Sequence, residues 1–234
     1  MSNPSTQSSV TIPIRLPKDF QPNWDVWESA YLRFSTPEQE RRKFHRRYRQ
    51  LGVTEWPRDL EILEIFAGRG NGLVALSELG FTRLDGADLS PRLAAAYQGP
   101  HTIHVCDCRS LPLPDSSRDA VVVQGGLHHL INLPDDLNHT LAEVRRVLRP
   151  GGRFLAVEPW HTPFLGFVHF IAFTPFRKAW KKLDALATMI EHEAETYFNW
   201  LSRPVEILDL IDRFFVSEKT IIQSGKLLYL RLRK

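Results

Sequence analysis

The stretch LEILEIFAGRGNG, residues 60–72, joins a short apolar run to a glycine-rich turn and then to a helical pattern. Ile62, Leu63, Ile65 and Phe66 have the composition of a strand buried on both faces of a parallel sheet. Gly68, Gly70 and Gly72 follow where backbone must come close to a ligand, since a residue without Cβ leaves room and tolerates left-handed backbone. Glu64 lies within the strand, and a second acid, Asp88, stands about 20 residues past the first glycine, the spacing at which an acid holds the ribose of an adenosine-containing cofactor. Taken alone, this pattern admits any adenosine cofactor.

Outward from this stretch, helix and strand alternate. A helix over 73–79 is closed by Gly80, and a strand over 82–87 delivers Asp88 at its carboxyl end. Ser90 and Pro91 have the chemistry of a helix start, with the helix running to Tyr97. A third strand over 102–106 ends at Asp107, and a fourth over 119–124 leads into Gly125 and Gly126. Leu137, Leu141, Val144 and Leu148 recur on one stripe of a helix over 134–148, which Pro150-Gly151-Gly152 is expected to stop, before a fifth strand over 153–158. This order predicts an α/β architecture, a mostly parallel sheet with helices on both faces. Residues 164–200 break the alternation with two or three aromatic-rich helices, read as a lid inserted over the strand ends at about 161–202. A helix over 204–214 and strands over 215–223 and 226–232, joined at Ser224-Gly225, complete the chain as a C-terminal β-hairpin.

Composition narrows the partners. A 234-residue chain with 43% hydrophobic and 24% charged residues is ordinary globular material, enough for one domain over 59–234. Residues 1–17, rich in Ser, Thr, Pro and Gln without an apolar core, read as a flexible tail rather than a secretory signal. Residues 18–58 read as an N-terminal helical extension. Its cluster of Arg41, Arg42, Lys43, Arg46, Arg47 and Arg49 could form a footprint for RNA, but Phe44, Tyr48 and Leu51 recur at helical spacing and the net charge is only +3. The expectation is a solvated amphipathic cap, with no nucleic-acid partner. Cys106 and Cys108 are the only cysteines, which excludes a disulfide framework and sets a reducing cytoplasm as the expected location. The apolar segment 163–176 is too short to span a bilayer, so no transmembrane segment is expected. Arg177, Lys178, Lys181 and Lys182 beside its aromatics leave a peripheral membrane contact open. No oligomeric state follows from the sequence.

Four motifs in order carry a more specific signal. LEIFAGRGNG, LDGADLSP, CDCRSLPLPDSSRDAVVV and LAEVRRVLRPGGRFLAVEP resemble the successive motifs of class I S-adenosylmethionine-dependent methyltransferases, in particular the small-molecule branch that includes ubiquinone and menaquinone biosynthesis enzymes. The resemblance covers about residues 60–160. It implies a Rossmann-like seven-stranded methyltransferase fold with five parallel strands, a hairpin whose last strand is antiparallel, and S-adenosylmethionine across the carboxyl ends. In this likeness backbone at Ala67, Gly68 and Gly70 passes the methionine moiety and Glu64 faces its ammonium group. Asp88 takes both ribose hydroxyls and Leu89 lies against the adenine. Asp107 takes the adenine amino group, Cys108 flanks it, and Gln124 lines the methionine end. The family's usual aspartate is replaced here by Glu64, and its first glycine by Phe66. A nicotinamide dehydrogenase, the rival for the fold, would want glycine at position 73, which is Leu73.

Methyl transfer from a sulfonium needs an aligned acceptor and sometimes a base. His128 and His129, just after the fourth strand, are the candidates for that base or for contact with a small-molecule methyl acceptor; Glu158 and His161 are secondary ones. The aromatics Trp160, Phe164, Phe167, Phe170, Phe173, Phe176 and Trp180 of the insertion either pack a helical lid or enclose an apolar acceptor. His101, His104, Cys106 and Cys108 imitate a metal cluster, the last three by alternation along a strand, yet no metal is expected there, because the resemblance already places Cys108 at the adenine. The other readings kept open are methylation of RNA or protein and a non-catalytic cofactor-binding scaffold. Asp88→Ala is expected to weaken S-adenosylhomocysteine binding at least tenfold in calorimetry, through loss of charge-assisted hydrogen bonds; unchanged affinity would contradict the assignment.

Overall fold

The computed structural model describes residues 21–234, with the side chain of Phe176 left aside. The expected tail over 1–17 lies outside the described residues, as does the start of the helical extension. Seven strands form one sheet: β1 (Glu61–Ile65), β2 (Arg83–Asp88), β3 (Thr102–Val105), β4 (Arg118–Gln124), β5 (Leu148–Pro159), β6 (Val216–Gln223) and β7 (Leu227–Arg233), in the spatial order β3-β2-β1-β4-β5-β7-β6. β1 to β5 pair in parallel, and β7 runs antiparallel to both β5 and β6. The antiparallel last strand is therefore as expected.

Nine helices accompany the strands among the described residues: α1 (Trp24–Phe34), α2 (Pro37–Gln50), α3 (Asn71–Glu78), α4 (Pro91–Ala95), α5 (Asp135–Val147), α6 (Pro163–Ala172), α7 (Lys181–His192), α8 (Ala194–Leu201) and α9 (Pro204–Phe214). Their starts are written locally. Asn23 accepts two backbone N–H groups at the start of α1, and Thr36 forms a reciprocal capping box with Gln39 before Pro37. Ser90-Pro91 and Thr162-Pro163 open α4 and α6 in the same way, each side chain accepting from a backbone N–H of the first turn.

β1 is buried on both faces, as Ile62, Leu63 and Ile65 require. Leu63 and Ile65 join one core with Leu137, Leu141 and Val144 of α5, residues of α8, and Ile207, Leu210 and Ile211 of α9. Ile62 points into a second core with Phe44 and Tyr48 of α2 and Leu73 and Leu76 of α3. Alternation along one strand thus assigns its neighbours to opposite layers.

Three expectations need correction. The helix expected over 134–148 ends at Val147, and Pro150-Gly151-Gly152 lies inside β5 rather than at the helix end. Proline disfavours helical backbone at Arg149 before it, so the chain turns extended early. Gly151 at φ 75 and the register shift between Arg118 and Ala120 mark a bulge there. The third strand stops at Val105, so Cys106 and Cys108 do not share a strand face with His104. The basic helix is also less free than its sequence suggests. Arg47 is buried and donates to the Gln124 side chain at 3.3 Å, Arg41 pairs with Glu78, and Lys43 pairs with the buried Glu40.

Leu63 is fully buried in β1 opposite Val121 of β4. Leu63→Ala is expected to lower unfolding free energy by about 2–5 kcal/mol in urea titration, the cost of a cavity in a core that relaxes little.

Candidate active site

Parallel register brings three carboxyl ends to one edge: Ile65 lies beside Ala87, and Glu64 beside Val122. This is also where strand order reverses, between β1 and β4, the place where open α/β sheets bind ligands. The loop from Phe66 to Gly70 is held in left-handed backbone at Phe66 (φ 55), Gly68 (φ 53) and Gly70 (φ 73). Phe66 thus occupies a conformation that glycine adopts without strain, and its ring packs where a Cβ on Gly126 would stand, at 2.4 Å from Cγ. Gly126 on the opposing loop thus makes room for the Phe66 ring.

Asp88 closes this loop. Its Oδ2 accepts the Gly68 N–H at 2.7 Å and its Oδ1 accepts the Ser90 N–H at 2.8 Å, while Ala67 N–H reaches Ala87 O at 3.1 Å. Glu64 lies underneath, 3% exposed, and a Cβ on Gly72 would meet its Oε1 at 1.7 Å. The third glycine therefore makes room for the acid, not for a ligand. Burial, then the nearby charges of Glu40 and Asp88, push the Glu64 carboxyl well above the ordinary carboxylate range against the Leu73 N–H that lowers it. Its Oε2 is buried without a hydrogen-bond partner, as is Gln124 Nε2. A buried acid with one oxygen lacking a partner, set beside a glycine loop, has the chemistry to balance a positive charge, so the residues present fit the ammonium-bearing end of S-adenosylmethionine.

The side of the loop toward Leu89 and Asp107 is more open. Leu89 is 72% exposed, an apolar surface beside Asp88. Asp107 is gripped by Arg109 through both carboxylate oxygens, which holds its carboxyl below the usual range, and Arg109 also reaches Asp136 at 2.6 Å. Burial raises the Cys108 thiol to about 11 and its sulfur lies 3.6 Å from Thr140 Oγ1. Arg109 as the partner of Asp107 carries no sequence signal beyond its proximity.

At the other end, His128 and His129 sit on a tight turn, Leu127–His129, just past β4. Glu158, buried at the end of β5, binds this turn from below: Oε1 accepts the Gly126 and Leu127 N–H groups at 2.9 Å each, and Oε2 lies 2.7 Å from His128 Nδ1. Burial alone would lower the His128 imidazole, but the Glu158 hydrogen bond and charge outweigh it and hold it above its ordinary value. Burial, and then His128, push His129 well below. Glu193, between α7 and α8, lies 3.6 Å from His129 Nδ1 and accepts Trp27 Nε1–H at 2.9 Å. Potential ligand atoms of His128, His129 and Glu193 fall within 4.8 Å of one another, the one such trio among the described residues. The four residues His101, His104, Cys106 and Cys108 form no such group there.

Helix α1 joins the two ends, which its sequence alone does not show. Trp24 and Trp27 lie edge-on to His129 at 6.4 and 6.0 Å, while Glu28 pairs with Arg69 of the glycine loop and with Arg92 of α4 at 2.5 Å. The usable signal was the recurrence of Trp24, Trp27 and Tyr31 on one helix face. Within the insertion, Tyr197 lies edge-on to His128 at 5.9 Å and is 3.1 Å from His169 Nε2.

Residues 63–156 match the family described as a methyltransferase domain. The chain is 25% identical over 185 residues to the demethylmenaquinone methyltransferase of Symbiobacterium thermophilum, covering 70% of this chain and 67% of that one. It is 48% identical over 54 residues to a ubiquinone/menaquinone biosynthesis C-methyltransferase of Caulobacter vibrioides, but that match spans only 20% of the relative. In fold it is similar to a protein of Pyrococcus horikoshii, with TM-score 0.66, 15% identity and coverage of 88% and 97%, and to an S-adenosylmethionine-dependent methyltransferase of Mesorhizobium loti, with TM-score 0.54, 19% identity and coverage of 80% and 97%. The matched domain and the named relatives together make this an S-adenosylmethionine-dependent methyltransferase, with S-adenosylmethionine as its cofactor.

Burial, with His161 nearby, depresses the His169 imidazole to about 4 from 6.5. A depressed imidazole gives stability that is complete above 6.5 and is lost as pH falls toward 4, because the unfolded state takes the proton first. Hydrogen exchange in α6, corrected for intrinsic rate, should therefore rise across that window, and His169→Gln should flatten the rise. Equal pH dependence in both chains would contradict it.

Proposed function

We propose that this chain transfers a methyl group from S-adenosylmethionine to a small, partly apolar molecule held between the glycine loop and the His128–His129–Glu193 cluster. The observation that carries this is the placement of a buried acid with one unpartnered oxygen, Glu64, and of the histidine pair at the two sides of one sheet edge. Bound S-adenosylmethionine supplies an electrophilic methyl group whose displacement needs an aligned acceptor. The residues of the chain do the rest. Glu64 balances the ammonium group, backbone at Ala67, Gly68 and Gly70 lies along the methionine, and Gln124 borders it. Asp88 keeps a free lone pair on each oxygen for the ribose hydroxyls, Leu89 lies against the adenine, and Asp107 with Cys108 edges the ring.

At the acceptor end, Glu158 engages His128 Nδ1 and so leaves Nε2 to take a proton from an acceptor hydroxyl, the arrangement in which a carboxylate sets an imidazole's tautomer. His129 and Glu193 contact the polar part of the acceptor, and α6 to α8 with α1 exclude water. Relatives named for quinone methylation support an acceptor with an apolar ring.

His128→Asn, which keeps a side-chain donor near Glu158, should lower kcat for a hydroquinone acceptor by roughly 10²–10⁴ while leaving S-adenosylhomocysteine affinity within about threefold. Unchanged kcat would remove the base from the account, and absence of S-adenosylhomocysteine binding in calorimetry would remove the enzyme.

A further inference from the structure

Helix α6, PFLGFVHFIA, presents two different faces. Leu165 and Ala172 are buried, and His169 reaches Tyr197, which stands edge-on to His128. The opposite face carries Phe164, Phe167 and Phe170, which are 50%, 57% and 71% exposed. Their three-residue spacing lays them along one outward stripe. Beyond the short turn Pro175–Ala179, Trp180 at the start of α7 is 65% exposed as well. Four large aromatics left in water within 17 residues are more than the single exposed apolar residues of an ordinary surface.

The charges next to them are of one sign. Lys178, Lys181 and Lys182 flank Trp180, are exposed, and have no ion pair among the described residues. The acids of the same segment are already engaged, since Arg177 holds both Asp184, at 3.4 Å, and Glu191. Thus the three lysines beside the aromatics stand outside the ion pairs among the described residues, while both acids share Arg177. Among the described residues no helix is long and apolar enough to cross a membrane.

We propose that the face formed by Phe164, Phe167, Phe170 and Trp180 with Lys178, Lys181 and Lys182 docks on an anionic lipid bilayer. The phenylalanines enter the boundary between headgroups and acyl chains with the amphipathic ring of Trp180 at headgroup level, and the lysines meet the negative surface potential. A second protein surface would match the apolar part, but three such lysines beside it match a surface of like-charged lipid headgroups better than another copy of a chain that carries the same lysines. The inner face of α6 leads through His169 and Tyr197 to His128, so the docked helix separates the bilayer from the candidate acceptor site by its own thickness. Docking does not depend on the methyl-transfer reading, because no residue of the outer face belongs to that site.

The full chain is sedimented with phosphatidylcholine vesicles and with vesicles that also contain phosphatidylserine. Binding is expected to the mixed vesicles, weakening with salt, and to fall about fivefold for each Lys→Ala change at 178, 181 and 182. Phe167→Glu with Phe170→Glu should abolish it while S-adenosylhomocysteine affinity and circular dichroism stay unchanged. These two controls separate failure of docking from failure of the enzyme or of folding. Equal binding to both vesicle types, no binding to either, or mixed-vesicle binding untouched by these changes would overturn the proposal. So would a dimer in solution that the Phe167→Glu, Phe170→Glu chain loses, with no vesicle binding by the parent.

Discussion

A carboxyl group buried at the end of the central strand is the constraint on which the site depends. Glu64 has no room to move: β2 and β4 flank it, Gly72 lacks a side chain because its carboxylate occupies that space, and Leu73 N–H points at it from α3. Burying such a group without a full set of partners costs stability unless a charge arrives or a proton is kept. The surrounding loop is shaped accordingly. Asp88 pins Gly68, and Glu40, itself buried, holds Asn71 at 2.7 Å at the start of α3. Glu40 and Asp88 beside the buried Glu64 favour a positively charged group there, and that is the physical basis for reading the region as the methionine end of the cofactor site.

The second half of the site uses a different device. Glu158 satisfies both of its oxygens within the protein, by two backbone N–H groups and one imidazole, so it serves as an anchor for the turn that carries His128 and His129. Glu193 and Trp27 come from elements far apart in sequence and close the same space. Helix α1 thus links ion pairs at the glycine loop to an aromatic contact with His129.

The sheet was legible because its strands obey local rules: apolar runs of buried-strand length, a helix start at Ser90-Pro91 after the second strand, and a hairpin at Ser224-Gly225. The loop acids Glu64 and Asp88 were legible from spacing against the glycines. Less of the acceptor end could be read. Glu193 is one acid among several in its helical segment, and only tertiary folding selects it over Glu191, which Arg177 takes instead. The role of Gly72 was misread because a missing Cβ looks alike whether it admits a ligand or a neighbouring side chain. Arg47 was counted with a solvated face, although its position between Phe44, Tyr48 and Leu51 places it on the buried side.

Net proton exchange on cofactor binding tests the role of Glu64 most directly. Calorimetry with S-adenosylhomocysteine in two mildly acidic buffers of different ionisation enthalpy reports how many protons leave the protein. If the raised Glu64 carboxyl ionises as the ammonium group arrives, binding releases protons, and the release disappears in Glu64→Gln together with much of the affinity. Binding of equal strength in both chains with no proton released in either would contradict the account.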